Sequence, residues 1–182
     1  EALSRVCRLR QVRLYCRNEE TRRAASADFS RRFGIDVVPA ADPEATVRGA
    51  DIVVTVTTSA VPLFDGDWLE PGTHVTAAGS NSLIRREIDE KTVRRAAVVC
   101  VDSRPTALRE AGDLLPALEK GRLHEGQLVE LGDILCGARP GRTDAAQITL
   151  FESHGMAIQD LAVAARLFKL AREHGLGAQI SA

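Results

Sequence analysis

The sequence predicts an α/β protein built on a doubly wound parallel sheet, and three observations support this. Segments of strand and helix character alternate along most of the 182 residues. The segments 50–56 and 96–102 are almost continuously apolar, as in strands covered by helices on both faces. Small residues follow a strand within 72–89 (GTHVTAAGSNSLIRREID), at the position where open α/β sheets bind ligands. An ordinary turn between a strand and a helix has the same appearance.

The first part of the chain alternates between short strands and helices. Residues 1–8 have helical periodicity without a capping residue, and residues 11–16 alternate as a strand does. Asn18 is placed to cap a helix over 19–33, which Gly34 ends. The next elements are a strand at 36–39, a short helix at 42–48 opened by an Asp-Pro pair, and a strand at 50–56.

The second part continues the alternation and ends in the longest helix. The elements expected are a strand at 73–78, helices at 89–95 and from 105 to 111, a strand at 96–102, an amphipathic helix at 127–135, and a strand at 148–152. A helix over 155–174 follows, in which Ile158, Leu161 and Phe168 share one face.

Composition excludes several classes of function. A net charge of -1 and 4% aromatic residues argue against a nucleic-acid partner. The four cysteines lack C-x-x-C spacing and the four histidines are scattered, so we expect no metal site and a reducing, cytoplasmic compartment. No apolar stretch approaches the ~20 residues that span a bilayer, so no membrane partner is expected.

Four stretches, in this order, resemble the ornithine cyclodeaminase/mu-crystallin family. They are 72–89, 101–114 (VDSRPTALREAGDL), 130–142 (ELGDILCGARPGR) and 148–164 (ITLFESHGMAIQDLAVA). The resemblance implies a Rossmann-like domain, a separate substrate and dimerisation domain, a homodimer, and NAD- or NADP-dependent chemistry on amino acids, imines or ketimines.

The resemblance also implies an amino-terminally truncated chain. Residues 1–3 resemble the helix that follows the family's glycine-rich fingerprint, and residues 1–10 supply neither that loop nor a first strand. We therefore expect a partial NAD(P)-binding domain at 1–152, and at 153–182 a helix that packs on the missing dimerisation domain. Because the first strand is normally central, strands within 11–39 should be separated from those after residue 50. The isolated chain should bind dinucleotide poorly and be inactive.

Several residues resemble family positions that contact the cofactor. Arg17 and Asn18 end the second strand of the family's domain, where an arginine can pair with the 2′-phosphate of NADP. Glu19 or Glu20 could instead bind the ribose of NAD. The other candidates for cofactor binding are Thr57, Thr58, Ala78, Gly79, Ser80, Arg85 and Ser153. The threonines could equally cap the turn before Pro62, and Arg86 or solvent exposure competes with the role of Arg85.

Two residues are candidates for catalysis. Asn81 stands where cyclodeaminases have an aspartate that moves a proton at the substrate amine, and an amide cannot titrate. Hydride transfer by an imine or ketimine reductase, or by an amino-acid dehydrogenase, is therefore favoured. A cyclodeaminase-type ammonia-lyase and a crystallin-type NADP- and ligand-binding protein are the alternatives. His154, where small or aliphatic residues are commoner, is either a proton donor or a structural or solvent-facing histidine.

Two aspartates in these family-like stretches have a structural interpretation. Asp102 ends a strand and Asp113 follows Gly112, so both are expected to cap helices.

Overall fold

The computed structural model describes residues 2–178 and residue 180, and within them the strands form two parallel sheets. β1 (Gln11–Leu14) pairs with β2 (Asp36–Pro39). The second sheet contains β3 (Ile52–Thr55), β4 (His74–Ala77), β5 (Ala96–Val101), β6 (Leu128–Glu130) and β7 (Ile148–Glu152), in the spatial order β3-β4-β7-β5-β6. The predicted α/β class with a parallel sheet is confirmed.

Helices connect the strands, and α2 to α5 each begin after a residue whose side chain caps the helix. They are α1 (Ala2–Val6), α2 (Glu19–Phe33), α3 (Pro43–Val47), α4 (Glu90–Arg95), α5 (Arg104–Glu110), α6 (Leu115–Glu119), α7 (Leu131–Leu135) and α8 (Ala157–Glu173). Asn18 Oδ1 accepts the Thr21 N–H at 2.8 Å, and Gly34 ends α2 with φ 64°. The predicted start and end of α2 are confirmed.

The two sheets are separate, as predicted. β3 lies at one edge of the larger sheet and pairs only with β4 among the described strands. The prediction that both faces of 50–56 are covered is wrong, because Val54 is 47% exposed beside the groove between the sheets. In β5, by contrast, the consecutive residues Val99, Cys100 and Val101 are all buried.

The core lies between the larger sheet and helices α4 to α6. Val75, Val101, Leu128 and Leu150 from four strands are at most 1% exposed. Burial of such a side chain contributes about 1.5 to 3 kcal/mol. This core fixes the carboxyl ends of the strands, where the candidate site lies.

The prediction of one amphipathic helix over 127–135 is wrong. Residues 128–130 form β6 beside β5, and only 131–135 are helical. The buried pair Leu128 and Val129 completes this edge of the sheet. These apolar residues would also fit the buried stripe of a helix, so the pairing of 128–130 with β5 decides that they form a strand.

α8 presents an uncovered apolar face. Ile158 and Leu161 are each 68% exposed and Phe168 is 67% exposed. The predicted helix and its apolar face are therefore present, and that face does not pack against the rest of the described chain. No helix within the described residues is long and apolar enough to cross a bilayer.

Candidate active site

The order of the strands brings three of the predicted segments together. β3, β4 and β7 are neighbours, and Ala77 pairs with both Thr55 and Glu152 at their carboxyl ends. The turns that follow carry Thr57 and Thr58, then 78–81, then 153–155. These segments therefore meet at the carboxyl-terminal edge of the sheet, where the strands end and where parallel α/β proteins bind ligands.

The side chain of Glu87 forms hydrogen bonds with the backbone of two of these turns. Its side chain is fully buried, Oε1 accepts the Thr57 N–H at 2.5 Å, and Oε2 accepts the Gly79 N–H at 2.7 Å. The Thr55 hydroxyl also donates to Oε2 at 3.0 Å. The N–H groups of Thr57 and Gly79 are thus used within the chain, so a ligand at this edge would meet other groups.

The small residues of the turn after β4 serve internal packing. A side chain at Gly79 would collide with the backbone of Thr57 and with Glu87. Ser80 is fully buried and its hydroxyl donates to the Arg85 carbonyl at 2.9 Å. Their neighbours Ala78 and Asn81 are exposed, and Asn81 Oδ1 accepts from Arg85 Nη1 at 3.3 Å. Ala78, Asn81 and Arg85 therefore supply the accessible surface of this turn.

Asp102 holds the turn after β7. Its Oδ2 accepts from the Ser153 hydroxyl at 3.0 Å, the His154 N–H at 2.9 Å and the Gly155 N–H at 2.7 Å. These three hydrogen bonds to one oxygen fix the turn against the end of β5. The prediction that Asp102 caps a helix is wrong, because Ser103 is the cap of α5.

Asp113 anchors the segment that contains Glu87. Its Oδ1 accepts the N–H groups of Glu87 at 2.7 Å and Ile88 at 2.9 Å. It does not cap α6, because the residue before that helix is Leu114, whose side chain makes no capping hydrogen bond, so this prediction is also wrong. Burial raises the pKa of Asp113, and the two N–H groups oppose that rise.

His154 lies inside the protein between two acidic side chains. The side chains of His154, Asp102 and Glu152 are all inaccessible to solvent. Nδ1 is 3.6 Å from Asp102 Oδ1, and Nε2 is 3.8 Å from Glu152 Oε1. Burial raises the pKa of Glu152 well above 4.5, and the nearby carboxyl groups of Asp113, Glu87 and Asp102 raise it further.

A groove of about 650 Å³ between the two sheets brings further candidates together. Arg17 lines it from the end of β1, and Thr57 and Thr58 line it from the end of β3. The Asn18 side chain is instead used as the cap of α2. The groove thus joins a guanidinium group and two hydroxyl groups, a set suited to a phosphate or a ribose.

Sequence reasoning missed two residues that organise this edge, Glu87 and Glu152. Glu87 follows two arginines and has the appearance of a surface charge. Glu152 ends the apolar strand ITLFE, and a glutamate inside such a strand is the signal that could have marked it. Among the described residues, no group of three or more His, Cys, Asp or Glu side chains is arranged to hold a metal ion.

Comparisons with known proteins place this site in context. The model of the ornithine cyclodeaminase/mu-crystallin family matches residues 1–175. The chain is 36% identical over 181 residues to a Delta(1)-pyrroline-2-carboxylate reductase of Bacillus cereus, covering 99% of this chain and 55% of that protein. It is 36% identical over 158 residues to the ketimine reductase mu-crystallin of Mus musculus, covering 87% and 46%.

A solved structure shares the same fold. The Delta(1)-pyrroline-2-carboxylate reductase of Thermococcus litoralis, in complex with NADH and L-proline, superposes with a TM-score of 0.91 at 32% identity, covering 98% of this chain and 55% of that one. The chain thus spans about half the length of the curated relatives it matches.

Proposed function

Because the chain belongs to the ornithine cyclodeaminase/mu-crystallin family, we propose that the full-length protein is an NAD(P)-dependent oxidoreductase. Its substrate is an imine or ketimine, or the corresponding amino acid in the reverse direction. The reductase activities named for relatives in Bacillus cereus and Mus musculus support this assignment. When bound, the dinucleotide supplies the hydride.

Asn81 is the observation that favours reduction over deaminating cyclisation. It is exposed at the shared strand edge and accepts a hydrogen bond from Arg85 at 3.3 Å. The amide can orient a substrate but cannot take a proton from an amine. Loss of ammonia from a diamino acid needs such a proton transfer, so the cyclodeaminase alternative lacks its titrating group at this position.

Arg17 favours NADP over NAD. Its side chain lines the same groove as Thr57 and Thr58, and a guanidinium can bind a 2′-phosphate through two hydrogen bonds. NAD remains the alternative cofactor, with Glu19 or Glu20 on the ribose. The Thermococcus litoralis structure contains NADH.

The apolar face of α8 supports the proposed division of the chain. We assign 1–152 to the dinucleotide-binding domain and 153–182 to a segment that packs elsewhere. Ile158, Leu161 and Phe168 are exposed and share one face of α8. They would be covered by the substrate and dimerisation domain of a homodimer. Cys7, Cys16, Cys100 and Cys136 are free, which suits a reducing compartment such as the cytoplasm.

Three assays on the full-length protein test the proposed function. NADPH oxidation with Delta(1)-pyrroline-2-carboxylate as the probe imine should proceed, and ammonia release from ornithine should be absent. Release of ammonia without imine reduction would overturn the proposal in favour of a cyclodeaminase. Dinucleotide binding without turnover of any cyclic imine would favour a crystallin-type binding protein.

A further inference from the structure

Four acidic side chains lie buried beneath the turns of the candidate site. Asp102 comes from the end of β5, Glu152 from the end of β7, Glu87 from the segment after β4, and Asp113 from the segment after α5. No lysine or arginine within the described residues forms an ion pair with any of them. Full ionisation of such a cluster is costly in a poorly hydrated interior.

Hydrogen bonds distinguish these carboxyl groups. Glu87 and Asp102 each accept at least three hydrogen bonds, and Asp113 accepts two N–H groups. Neither oxygen of Glu152 accepts from an N–H or hydroxyl group of the described residues, and the Asp113 carboxyl group is the neighbour that raises the pKa of Glu152 most after burial itself. Glu152 is therefore the carboxyl group least able to carry a charge, and the one most in need of a proton.

His154 is the nitrogen base that lies beside that carboxyl group. Its Nε2 faces Glu152 Oε1 at 3.8 Å and its Nδ1 faces Asp102 Oδ1 at 3.6 Å. Neither ring nitrogen forms a hydrogen bond within the part of the chain that the structure describes. One proton fits two arrangements. It lies either on Glu152 beside a neutral imidazole or on Nε2 beside an ionised Glu152. In both arrangements a second proton stays on Nδ1, facing Asp102. The three side chains together therefore carry the same total charge in both.

We propose that Asp102, His154 and Glu152 hold one proton in a buried relay that keeps the turn 153–155 in place. His154 is then a positioning residue and not the acid that contacts the substrate. The turn depends on the relay because Asp102 Oδ2 accepts its three donors, Ser153 Oγ and the N–H groups of His154 and Gly155. Loss of the proton leaves Glu152 and Asp102 both negative around a neutral imidazole, and their repulsion separates the ends of β5 and β7.

The sign of the pH effect follows from burial. Because the pKa of Glu152 is raised above 4.5 in the folded state, the folded chain holds the proton more tightly than the unfolded chain. Its contribution to stability is complete below pH 4.5 and is lost as the pH rises through the folded value. Glu152→Gln keeps the shape and removes the proton, so the variant should lack this loss.

The test compares thermal midpoints of wild type, Glu152→Gln and His154→Leu from pH 5 to 9, in the full-length protein without cofactor. As the pH rises, the thermal midpoint of wild type should fall more than that of Glu152→Gln. His154→Leu should lower the midpoint in wild type more than it does in the Glu152→Gln background. Glu125→Gln and His174→Leu, at exposed positions, serve as matched controls and should parallel wild type. Parallel profiles for wild type and Glu152→Gln, or additive effects of the two substitutions, would overturn the relay.

Dinucleotide binding provides a second measurement, which rests on the proposed function. Wild-type affinity for NADPH should weaken as the proton is lost, by at most about tenfold per pH unit for one linked proton. The affinity of Glu152→Gln should vary less over the same range. If NADPH does not bind to any variant, the proposed cofactor is wrong, and the thermal profiles still decide whether the relay exists. If the NADPH affinity of Glu152→Gln depends on pH in the same way as that of wild type, the relay is contradicted, even where NADPH binds tightly.

Discussion

The Glu87 carboxylate accepts the backbone N–H of Gly79 at 2.7 Å, eight positions earlier in the chain. The other oxygen of the same carboxylate accepts the Thr57 N–H. One buried side chain therefore sets the spacing between the turns after β3 and β4, and both turns carry residues proposed to contact the cofactor. Its position is in turn fixed by Asp113, which accepts the Glu87 N–H.

Glu87→Gln should destabilise the protein and weaken dinucleotide binding. An amide has one oxygen acceptor, so one of the two N–H groups would face the NH₂ of the glutamine. A buried donor left without a partner costs about 1 to 3 kcal/mol. Thermal unfolding and NADPH titration of the full-length protein measure both effects. Glu90→Gln, which changes the ion pairs of a half-buried carboxylate with Lys120 and Arg122, is the control and should leave NADPH affinity unchanged.

Gly79→Ala should lower stability by about 1 to 3 kcal/mol, in the range of an overpacked core. The added methyl group would collide with the Thr57 backbone and the Glu87 carboxylate. Gly126→Ala is a matched control, because a Cβ there meets nothing within 4 Å. Denaturant unfolding of the two variants should separate them clearly. Equal stability would mean that the two turns are not in contact as described.

Arg17→Ser should change the preference between cofactors. A hydrogen bond to a charged group contributes about 1.5 to 3 kcal/mol, so the KM for NADPH should rise roughly tenfold or more. The KM for NADH should change little, because NADH lacks the 2′-phosphate. Steady-state kinetics with both cofactors measure this ratio. An unchanged ratio would assign the ribose to Glu19 or Glu20.

His74 should make the protein less stable in mild acid. Burial lowers its pKa below 6.5, and the positive charge of Arg142 lowers it further. The unfolded chain then binds the proton more tightly, so the stabilising effect is complete above pH 6.5 and is lost as the pH falls through the folded value. His74→Gln should flatten this part of the profile in a thermal scan from pH 7.5 to 5. His174→Leu should leave it unchanged, because His174 is exposed at the end of α8.

Local sequence signals predicted the elements that have local causes. The capping side chain of Asn18 and the left-handed Gly34 fix α2 at its predicted bounds. The apolar run of β7 has flanking turns and was likewise predicted at its observed bounds, Ile148–Glu152. Residues 128–130 were misassigned because pairing with β5, a contact distant in sequence, selects the strand.

The site was only partly predictable for the same reason. Strand ends carry small and hydroxyl residues, so Thr57, Gly79 and Ser153 could be chosen from the sequence. The carboxyl groups that hold them could not, because Glu87 contacts Thr57 across 30 positions and Asp102 contacts Ser153 across 51. The roles of these acids appear only when the strands are placed side by side.

The uncovered side of β3 has a consequence for handling the chain. Val54 in β3 and Val56 just after it are exposed, and the outer backbone groups of β3 pair with no other described strand. Such an edge is a template for strand addition by another molecule. Self-association through β3 is therefore the expected route of aggregation, and a charged residue at position 54 should make the chain remain monodisperse at higher concentration.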